Sequence, residues 1–245
     1  MTPTSPADPA EALRQNLRTA VADDVKRDHV RVVNGVQPYR HHYFTPREFF
    51  QHNPHSGTIT NAYGQRVIRA TEELVPSLIA ALDAEVGDAA SEILYKCGLA
   101  WGRAEVEAFV PRVESEYEVE FDKLSMGTML ETWWWPFRVA GWGRWRYEFR
   151  HTARIVVIDL HDSFVAAAVG QSGRVACHFY AGLFAAVFSR LAKKPLASVE
   201  LQCAAAGASH CRFMVATEQR VHEATIWRNE GITADEILQR LTHPN

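Results

Sequence analysis

Three of the four cysteines lie between residues 174 and 215, and one glutamate lies between the first and the second of them. These four residues are Cys177, Glu200, Cys203 and Cys211. Thiolate-rich tetrahedral sites suit zinc, and four protein ligands make a closed structural site instead of a catalytic site with an open position. We therefore predict that these residues bind one metal ion, which ties the start of a helix to a hairpin.

The spacing of these residues constrains the geometry of such a site. Cys203 and Cys211 flank the connection between two strand-like runs, so they can face each other. Glu200 and Cys203 are three residues apart, which places them on opposite faces of a flat strand. We expect a bulge or an early turn after Leu201 to bring them together. The groups expected to offset the excess negative charge of the ligands are Arg174, Arg212 and a backbone N–H near Cys177.

Other interpretations of the same residues stay open at this point. The three cysteines can be ordinary buried hydrophobes, which is what we expect of Cys97 on an earlier helix. His178 or His210 can replace Glu200 as the fourth ligand, because each is adjacent to a candidate cysteine. A reactive cysteine–histidine pair is a weaker interpretation, since sequence neighbours on a strand point to opposite faces.

Residues 36–57 are rich in histidine and in aromatic residues, and three prolines interrupt them. The histidines are His41, His42, His52 and His55. Because they lack cysteine or carboxylate partners at ligand spacing, we interpret them as turn residues of an irregular arm and not as a metal site.

The overall composition excludes several classes of protein. The chain has 245 residues, a hydrophobic fraction of 47% and a formal net charge of −3. This length allows one large domain or a domain with an extension, and the charge favours neither nucleic acid nor an anionic membrane as partner. No apolar run is long enough to cross a membrane, and the first residues do not resemble a signal peptide. We expect a cytoplasmic protein, in which clustered thiols stay reduced.

The hydrophobic pattern predicts the elements that position the candidate ligands. Apolar residues recur at helical spacing over 64–85, 88–110 and 119–135, and we expect Pro76 to mark a kink or a boundary and Pro136 to end the third helix. Another helix follows Cys177, and a last one begins at Thr233 with Glu236 completing a capping box. Strand-like runs cover 144–150, 153–160, 164–170, 198–203 and 211–217. An α/β (α+β) fold follows, with an antiparallel sheet packed by helices.

Aromatic residues are concentrated just before and within the first of these strands. Five of the seven tryptophans fall between residues 133 and 145. We predict an apolar pocket for a hydrophobic or aromatic small molecule here, although large rings are also ordinary core residues. The predicted ligand-binding residues are Trp133, Trp134, Phe137, Trp142, Trp145, Tyr147 and Phe149.

Three short motifs in the last third of the chain resemble the 4-vinyl reductase domain. They are C-H-x3-G at 177–182, E-x2-C at 200–203 and G-x3-C-x-F at 207–213. The helix ILYKCGLAWG and the GWG turn are also similar to that family, so the resemblance covers roughly residues 65–217. It implies three regions: an N-terminal extension with the arm (1–64), a zinc-binding domain (65–217) and a C-terminal helix (218–245).

The resemblance also implies a fold and a ligand set. The family has a twisted antiparallel sheet packed by helices, is related to subunits of the TRAPP vesicle-tethering complex, and commonly dimerises. Phenol- and xylene-responsive activators carry related sensor domains, whose structural zinc is held by Cys, Glu, Cys and Cys at the spacing found here, which favours Glu200 over the histidines. Two tyrosines of their effector pocket are replaced by Ala181 and Ser198, and their pocket tryptophan maps near Leu160, so recognition of phenol is not implied.

Three classes of function are compatible with these observations. We favour a zinc-containing homodimer that binds or senses a small molecule. One alternative is an enzyme or accessory protein of tetrapyrrole-type metabolism, with Asp159, His161 and Asp162 as acid–base candidates. The other is an assembly scaffold, whose candidate dimer surfaces are the apolar helix 178–192 and the small residues Gly98 and Gly102. The sequence contains no G-x-G-x-x-G after a strand, so an enzyme would need electrons from elsewhere.

Overall fold

The computed structural model describes residues 49–242. Most of the histidine-rich arm, with His41 and His42, lies outside this range. The described residues fall into two compact units. Of the described residues, the first unit holds 49–69 together with Pro111–Val139, and the second holds Ala70–Val110 and 140–242. The predicted division into three regions stays a prediction.

Residues 49–242 form seven β-strands and seven α-helices, so the predicted mixed fold is confirmed. In chain order they are β1 (Phe50–Asn53), β2 (Thr58–Asn61), β3 (Arg66–Val67), α1 (Leu74–Val86), α2 (Ala89–Tyr117), α3 (Met126–Val139), β4 (Arg144–Arg150), β5 (Ile155–His161), α4 (Phe164–Val169), α5 (His178–Ala192), β6 (Ala197–Gln202), β7 (Cys211–Ala216), α6 (Glu218–Asn229) and α7 (Ala234–Thr242). None of these helices is long and apolar enough to cross a membrane.

The first unit contains a small antiparallel sheet and the helix α3. Its strands follow the order β1-β2-β3, with Gln51 opposite Thr60 and Thr60 opposite Arg66. The region predicted to be an irregular arm therefore includes the first strand and the turn of a hairpin. In α3, Pro136 lies inside the helix and does not end it. A proline removes only one backbone hydrogen bond, and the burial of Phe137 holds the last turn in place.

The second unit is built on a four-stranded antiparallel sheet with the order β4-β5-β7-β6. Tyr147, Ile158, Phe213 and Glu200 lie opposite one another on the four successive strands. The candidate ligand on β6 is therefore in the same row as the aromatic residue Tyr147 on β4. The face with this row packs against α5, where Phe184 contacts Phe213 at 5.1 Å between ring centroids.

The opposite face of the sheet is covered by the two C-terminal helices. Its apolar core consists of Ala153, Ile155, Val157, Val199, Leu201, Met214, Ala216, Val221, Ala224, Ala234, Ile237, Leu238 and Leu241. The predicted capping box at the start of α7 is present, because Thr233 Oγ1 accepts from the Glu236 amide and Glu236 accepts from the Thr233 amide. The helix α6 is not predicted from the sequence, since its charged residues obscure the apolar spacing.

Two further segments differ from the predicted elements. Residues 164–169 form the helix α4 and not a strand, because the Ser163 hydroxyl accepts from the Ala166 amide and so caps a helix start. The predicted helix over 64–85 is shorter, because β3 precedes it and α1 begins at Leu74. Pro76 consequently lies in the first turn of α1, where its missing N–H is of no consequence.

The helices α2 and α5 cross within the second unit at three glycines. A Cβ at Gly98 would overlap the carbonyl oxygen of Phe179, and a Cβ at Gly182 would overlap that of Tyr95. At Gly102 an added Cβ would lie 2.8 Å from the Cβ of Ala186. The small-residue face of α2, one candidate for a dimer interface, is therefore used inside the chain.

Candidate metal centre

The four candidate ligands are brought together at one end of the sheet in the second unit. Cys177 is the N-cap residue of α5, and Glu200 lies on β6. Cys203 directly follows β6, and Cys211 is the first residue of β7. A helix start and a hairpin therefore meet at these side chains, as the sequence predicted.

A bulge on β6 aligns two of these residues. Glu200 lies opposite Phe213 on β7, whereas Gln202 lies opposite Arg212, so the register shifts between Glu200 and Gln202. The extra residue turns the chain, and Cys203 reaches the same side of the sheet as Glu200. The bulge expected after the three-residue spacing is thus present.

The distances between the ligand atoms fit a tetrahedral ion. The sulfur atoms are separated by 3.9 Å (Cys177–Cys203), 3.7 Å (Cys177–Cys211) and 3.7 Å (Cys203–Cys211). A tetrahedral zinc ion with Zn–S bonds of about 2.3 Å separates its sulfurs by about 3.8 Å. One carboxylate oxygen of Glu200 joins them, and all four ligand atoms lie within 4.8 Å of one another.

The two carboxylate oxygens of Glu200 have different surroundings. Oε2 accepts a hydrogen bond of 2.8 Å from the Cys177 amide, whereas Oε1 is buried and has no hydrogen-bond partner within residues 49–242. The residue is only 1% exposed, so water does not solvate this atom. A buried, unpartnered carboxylate oxygen is costly unless a cation or a proton neutralises it. Oε1 is therefore the atom of Glu200 that a metal ion would bind.

Each of the three sulfurs also has a hydrogen-bond donor nearby. The Ser163 hydroxyl lies 3.3 Å from the sulfur of Cys177, and the Ala204 amide lies 3.5 Å from that of Cys211. The backbone of Ala176 hydrogen-bonds to Cys203. Such outer-shell donors orient the ligands of a metal and stabilise their charge.

The ionisation of the metal-free cluster is uneven. Hydrogen bonds from Cys177 and Cys211 lower the pKa of Cys203 to about 2. The hydrogen bond to Cys203, followed by burial, raises the pKa of Cys177 far above its usual value. Burial and the neighbouring Cys203 raise the pKa of Glu200. The pKa of Cys211 is also raised, because its bond with Cys177 is outweighed by Cys203 and burial. Without metal, the negative charge of the thiols is therefore concentrated on Cys203.

Two of the three groups expected to balance the charge are committed elsewhere. Arg174 pairs with Asp83, and Arg212 binds Asp159 at 2.6 Å and Asp235 at 2.6 Å. The backbone N–H of Cys177 is the expected group that reaches the site. Sequence reasoning missed a further cation, Arg228 on α6, which donates to the carbonyl oxygen of Glu200 at 2.9 Å.

The two histidines next to candidate cysteines are not part of the cluster. Burial lowers the pKa of His178, whose ring hydrogen-bonds to the backbone of Val175. The ring of His210 contacts Ser209 at 2.9 Å and Asp159 at 3.3 Å. Within the described residues, the cluster of Cys177, Glu200, Cys203 and Cys211 is the one group with metal-ligand geometry.

A polar link connects the cluster with an aromatic region of the second unit. Ser163 contacts Cys177 and also hydrogen-bonds to Tyr180, whose pKa is raised by complete burial. The Tyr180 hydroxyl donates to the carbonyl oxygen of Trp142 at 2.6 Å. The Trp142 ring stacks on Trp101 at 5.0 Å between centroids. The position of Trp142 thus depends on residues that contact a candidate ligand.

The predicted ligand-binding residues are divided between the two units. Trp133, Trp134 and Phe137 lie in the first unit, where they are at most 7% exposed and pack on one another, with Trp134 and Phe137 stacked at 5.2 Å. All three are thus side chains of the unit's interior, and their role in ligand binding stays a prediction.

The other four predicted residues lie in the second unit. Trp145, Tyr147 and Phe149 form a row on one face of β4, with ring centroids 5.3 and 5.8 Å apart, and Trp142 precedes this strand. Trp145 is buried against Phe184, whereas Trp142, Tyr147 and Phe149 are partly exposed.

The acid–base candidates at the end of β5 have structural partners. Burial raises the pKa of Asp159, but Arg212 and His210 outweigh this effect and keep the pKa below its usual range. Asp162 is exposed and pairs with Arg144 at 2.8 Å. The ring of His161 stacks on that of His210 at 4.9 Å.

The fourth cysteine differs from its prediction. Cys97, expected to be a buried hydrophobe, is exposed on α2.

Comparison with known proteins agrees with the resemblance of the sequence. Residues 156–217 match the family model of the 4-vinyl reductase domain, and this segment contains all four candidate ligands. No curated protein matches the chain.

Two solved structures are similar to this one. The phenol-responsive sensory domain of the transcription activator PoxR, with phenol, has a TM-score of 0.57 at 18% identity over 81% of this chain and 94% of that one. A trafficking protein particle complex subunit 3 from Naegleria fowleri, covalently bound to palmitic acid, has a TM-score of 0.44 at 12% identity over 59% and 93% of the two chains. At this identity the sensory domain shows a shared fold alone.

Proposed function

We propose that the protein is a cytoplasmic, zinc-containing homodimer that binds or senses a hydrophobic, aromatic small molecule. Cys177, Glu200, Cys203 and Cys211 hold the zinc in this proposal. The observation that carries it is the buried cluster of four ligand atoms, in which Glu200 Oε1 has no other partner among the described residues. Three thiolates select zinc over harder cations, and a full set of four protein ligands leaves no position for a substrate.

The zinc has a structural role in this proposal. It joins the start of α5 to the β6–β7 hairpin. Without the ion, these two parts of the chain contact each other at the cluster through one hydrogen bond between Cys177 and Glu200 and through weak thiol contacts. Because metal binding is possible only in the folded chain, its free energy adds to the free energy of unfolding. Any recognition of a small molecule then takes place elsewhere.

The aromatic residues are the proposed place of that recognition. Partly exposed rings supply apolar contact area and stacking surfaces, which suit a flat, hydrophobic molecule. Trp142, Tyr147 and Phe149 meet this description in the second unit. The fold shared with a phenol-responsive sensory domain supports a sensor. Ala181 and Ser198 stand where related phenol sensors have two pocket tyrosines, so the proposal does not specify phenol as the aromatic compound.

Two measurements test the proposal separately. Native mass spectrometry before and after acidification should show one zinc per chain that acid releases, and a purified protein without bound metal would refute the zinc centre. Thermal unfolding and tryptophan fluorescence with phenol, toluene and naphthalene as probes should show binding by at least one compound. If all three leave both signals unchanged in the zinc-loaded protein, the aromatic sensor is refuted and the metal centre is not.

A further inference from the structure

Arg228 lies on α6, outside the segment that matches the family model, yet its side chain reaches the metal centre. Its Nη1 donates to the carbonyl oxygen of Glu200 at 2.9 Å, next to the β6 bulge. Its Nε and Nη2 atoms hydrogen-bond to Asn229 Oδ1 at 3.3 and 3.0 Å. The guanidinium is therefore held by two partners on its route to the bulge.

The charge of the proposed centre creates a need for a cation at this place. Three thiolates, one carboxylate and one zinc ion carry two more negative charges than positive ones. All four ligands are buried, and an uncompensated charge in a buried site is costly. The hydrogen-bond donors around them are neutral dipoles from Ser163 and from backbone amides.

Among the nearby cations, Arg228 is the one that is available to the centre. Arg174 and Arg212 are each paired with carboxylates outside the cluster. Arg228 has no carboxylate partner within residues 49–242, and it is partly buried.

We propose that Arg228 is a positioning residue of the metal centre, which supplies the balancing positive charge and holds the Glu200 backbone at the bulge. The inference rests on the proposed zinc site and goes beyond it, because it makes metal affinity depend on α6. The helix α6 otherwise covers the opposite face of the sheet through Val221 and Ala224. Loss of its last turn should therefore weaken the metal centre.

The chain offers a matched control on the same helix. Arg220 also donates its Nη1 to a backbone carbonyl of the sheet region, that of Ala153, but it does not reach the cluster. R220Q and R228Q each remove one guanidinium that anchors α6 to the sheet region. Only R228Q removes the charge beside Glu200.

The experiment measures the zinc affinity of the full chain by competition with a chromophoric chelator. Changes of outer-shell residues typically weaken metal binding by about 10- to 100-fold, and we expect R228Q to fall in this range. R228K, which keeps the charge, should recover most of the affinity, and R220Q should bind zinc like the wild type even if its melting temperature falls. High salt should reduce the difference between wild type and R228Q, since screening weakens interactions of partly exposed charges.

Several outcomes would overturn the inference. They are an unchanged zinc affinity in R228Q, an equal loss in R220Q, and a loss in R228K as large as in R228Q. A wild type without zinc would instead refute the proposed function. If R228Q does not fold, N229A replaces it, because Asn229 is exposed and its side chain orients the guanidinium. A folded N229A protein should bind zinc more weakly than the wild type, and an unchanged affinity would overturn the inference.

Discussion

The amide of Cys177 donates a 2.8 Å hydrogen bond to Glu200 Oε2, although the two residues are 23 positions apart in the chain. This bond occupies one oxygen of the carboxylate, whereas the other oxygen, Oε1, is buried without a hydrogen-bond partner in the described part of the chain. One oxygen of this carboxylate lies within 4.8 Å of the three sulfurs. The protein thus holds one oxygen of Glu200 and leaves the second for a cation. The relationship explains how a carboxylate can take the fourth place in a cluster of thiols.

The substitution Glu200→Gln tests this division of roles. The amide oxygen of glutamine can still accept from Cys177, so the hydrogen bond and the side-chain volume are kept. The negative charge is lost, and a neutral amide is a poor zinc ligand. We expect zinc affinity to fall by more than the roughly 10- to 100-fold typical of outer-shell changes. Competition with a chelator measures this, and an affinity equal to that of the wild type would exclude Glu200 as a ligand.

The substitution Cys203→Ser tests whether the metal stabilises the fold. Loss of a bound metal belongs to the most destabilising kinds of substitution, so we expect a loss of about 3 kcal/mol or more in the free energy of unfolding. For a chain of this size that lowers the melting temperature by about 6–12 °C. Cys97→Ser is the control, since Cys97 is exposed and outside the cluster. Equal melting temperatures for the two variants would contradict a structural metal.

Local sequence signals account for the parts of this fold that could be predicted. The spacing of Glu200 and Cys203 requires a bulge, and the register shift on β6 is present. The Thr233–Glu236 pair marks the start of α7, because a capping box depends on residues only three positions apart. The prediction of a strand after Ser163 is wrong, since a short apolar run fits a strand and a buried helix equally well.

Long-range contacts account for what could not be predicted. Arg228 reaches the carbonyl of Glu200 across 28 positions, and neither residue's neighbours indicate that contact. The expected counter-charges Arg174 and Arg212 are closer to the cysteines in sequence, but their carboxylate partners lie on α1, β5 and α7. Charge balance is set by which helix packs over the sheet, and this follows from the tertiary structure.

The raised and lowered pKa values predict how many protons a metal must displace. In the metal-free site the pKa of Cys203 is lowered, whereas the raised pKa values of Cys177 and Cys211 keep both thiols protonated at neutral pH, and the pKa of Glu200 is raised as well. We therefore expect zinc to release at least two protons per chain near pH 7, and the affinity to rise by about two orders of magnitude or more per pH unit. Calorimetric titration in buffers of different ionisation enthalpy measures this number. Release of one proton or none would contradict the assigned ionisation.

The same pKa values predict that the metal-free protein responds weakly to pH. The raised pKa of Glu200 contributes stability that is fully present below the pKa of the unfolded chain, about 4.5, and is lost as pH rises through the pKa of the folded chain. The lowered pKa of Cys203 has the opposite effect, because it contributes stability that grows as pH rises above the pKa of this thiol in the folded chain. The two contributions change with pH in opposite directions, so they offset each other in the free energy of unfolding. Denaturant unfolding with a chelator present checks this, and a steep slope with unchanged metal binding would contradict it.

The crossing of α2 and α5 makes a last prediction, which does not depend on the metal. At Gly98 an added methyl group would meet the carbonyl oxygen and carbonyl carbon of Phe179, and backbone atoms cannot move aside without shifting α5. At Gly102 it would meet the Ala186 methyl at 2.8 Å, the carbonyl oxygen of Leu183 at 3.0 Å and a carbon of the Leu183 side chain at 3.1 Å, so the overlap is smaller than at Gly98. Overpacking typically costs about 1–3 kcal/mol and occasionally more. We expect the cost of Gly98→Ala to lie at or above the upper end of this range, and the cost of Gly102→Ala to lie within the range and below that of Gly98→Ala.

Because α5 begins at Cys177, a shift of this helix also moves a candidate ligand. Gly98→Ala should therefore reduce both the melting temperature and the zinc content, whereas Gly102→Ala should mainly reduce the melting temperature. Both variants replace glycine by alanine within one helix, so the gain in helix propensity is the same and cancels in the comparison. Equal stabilities of the two variants would show that the backbone contact at Gly98 does not fix the position of α5.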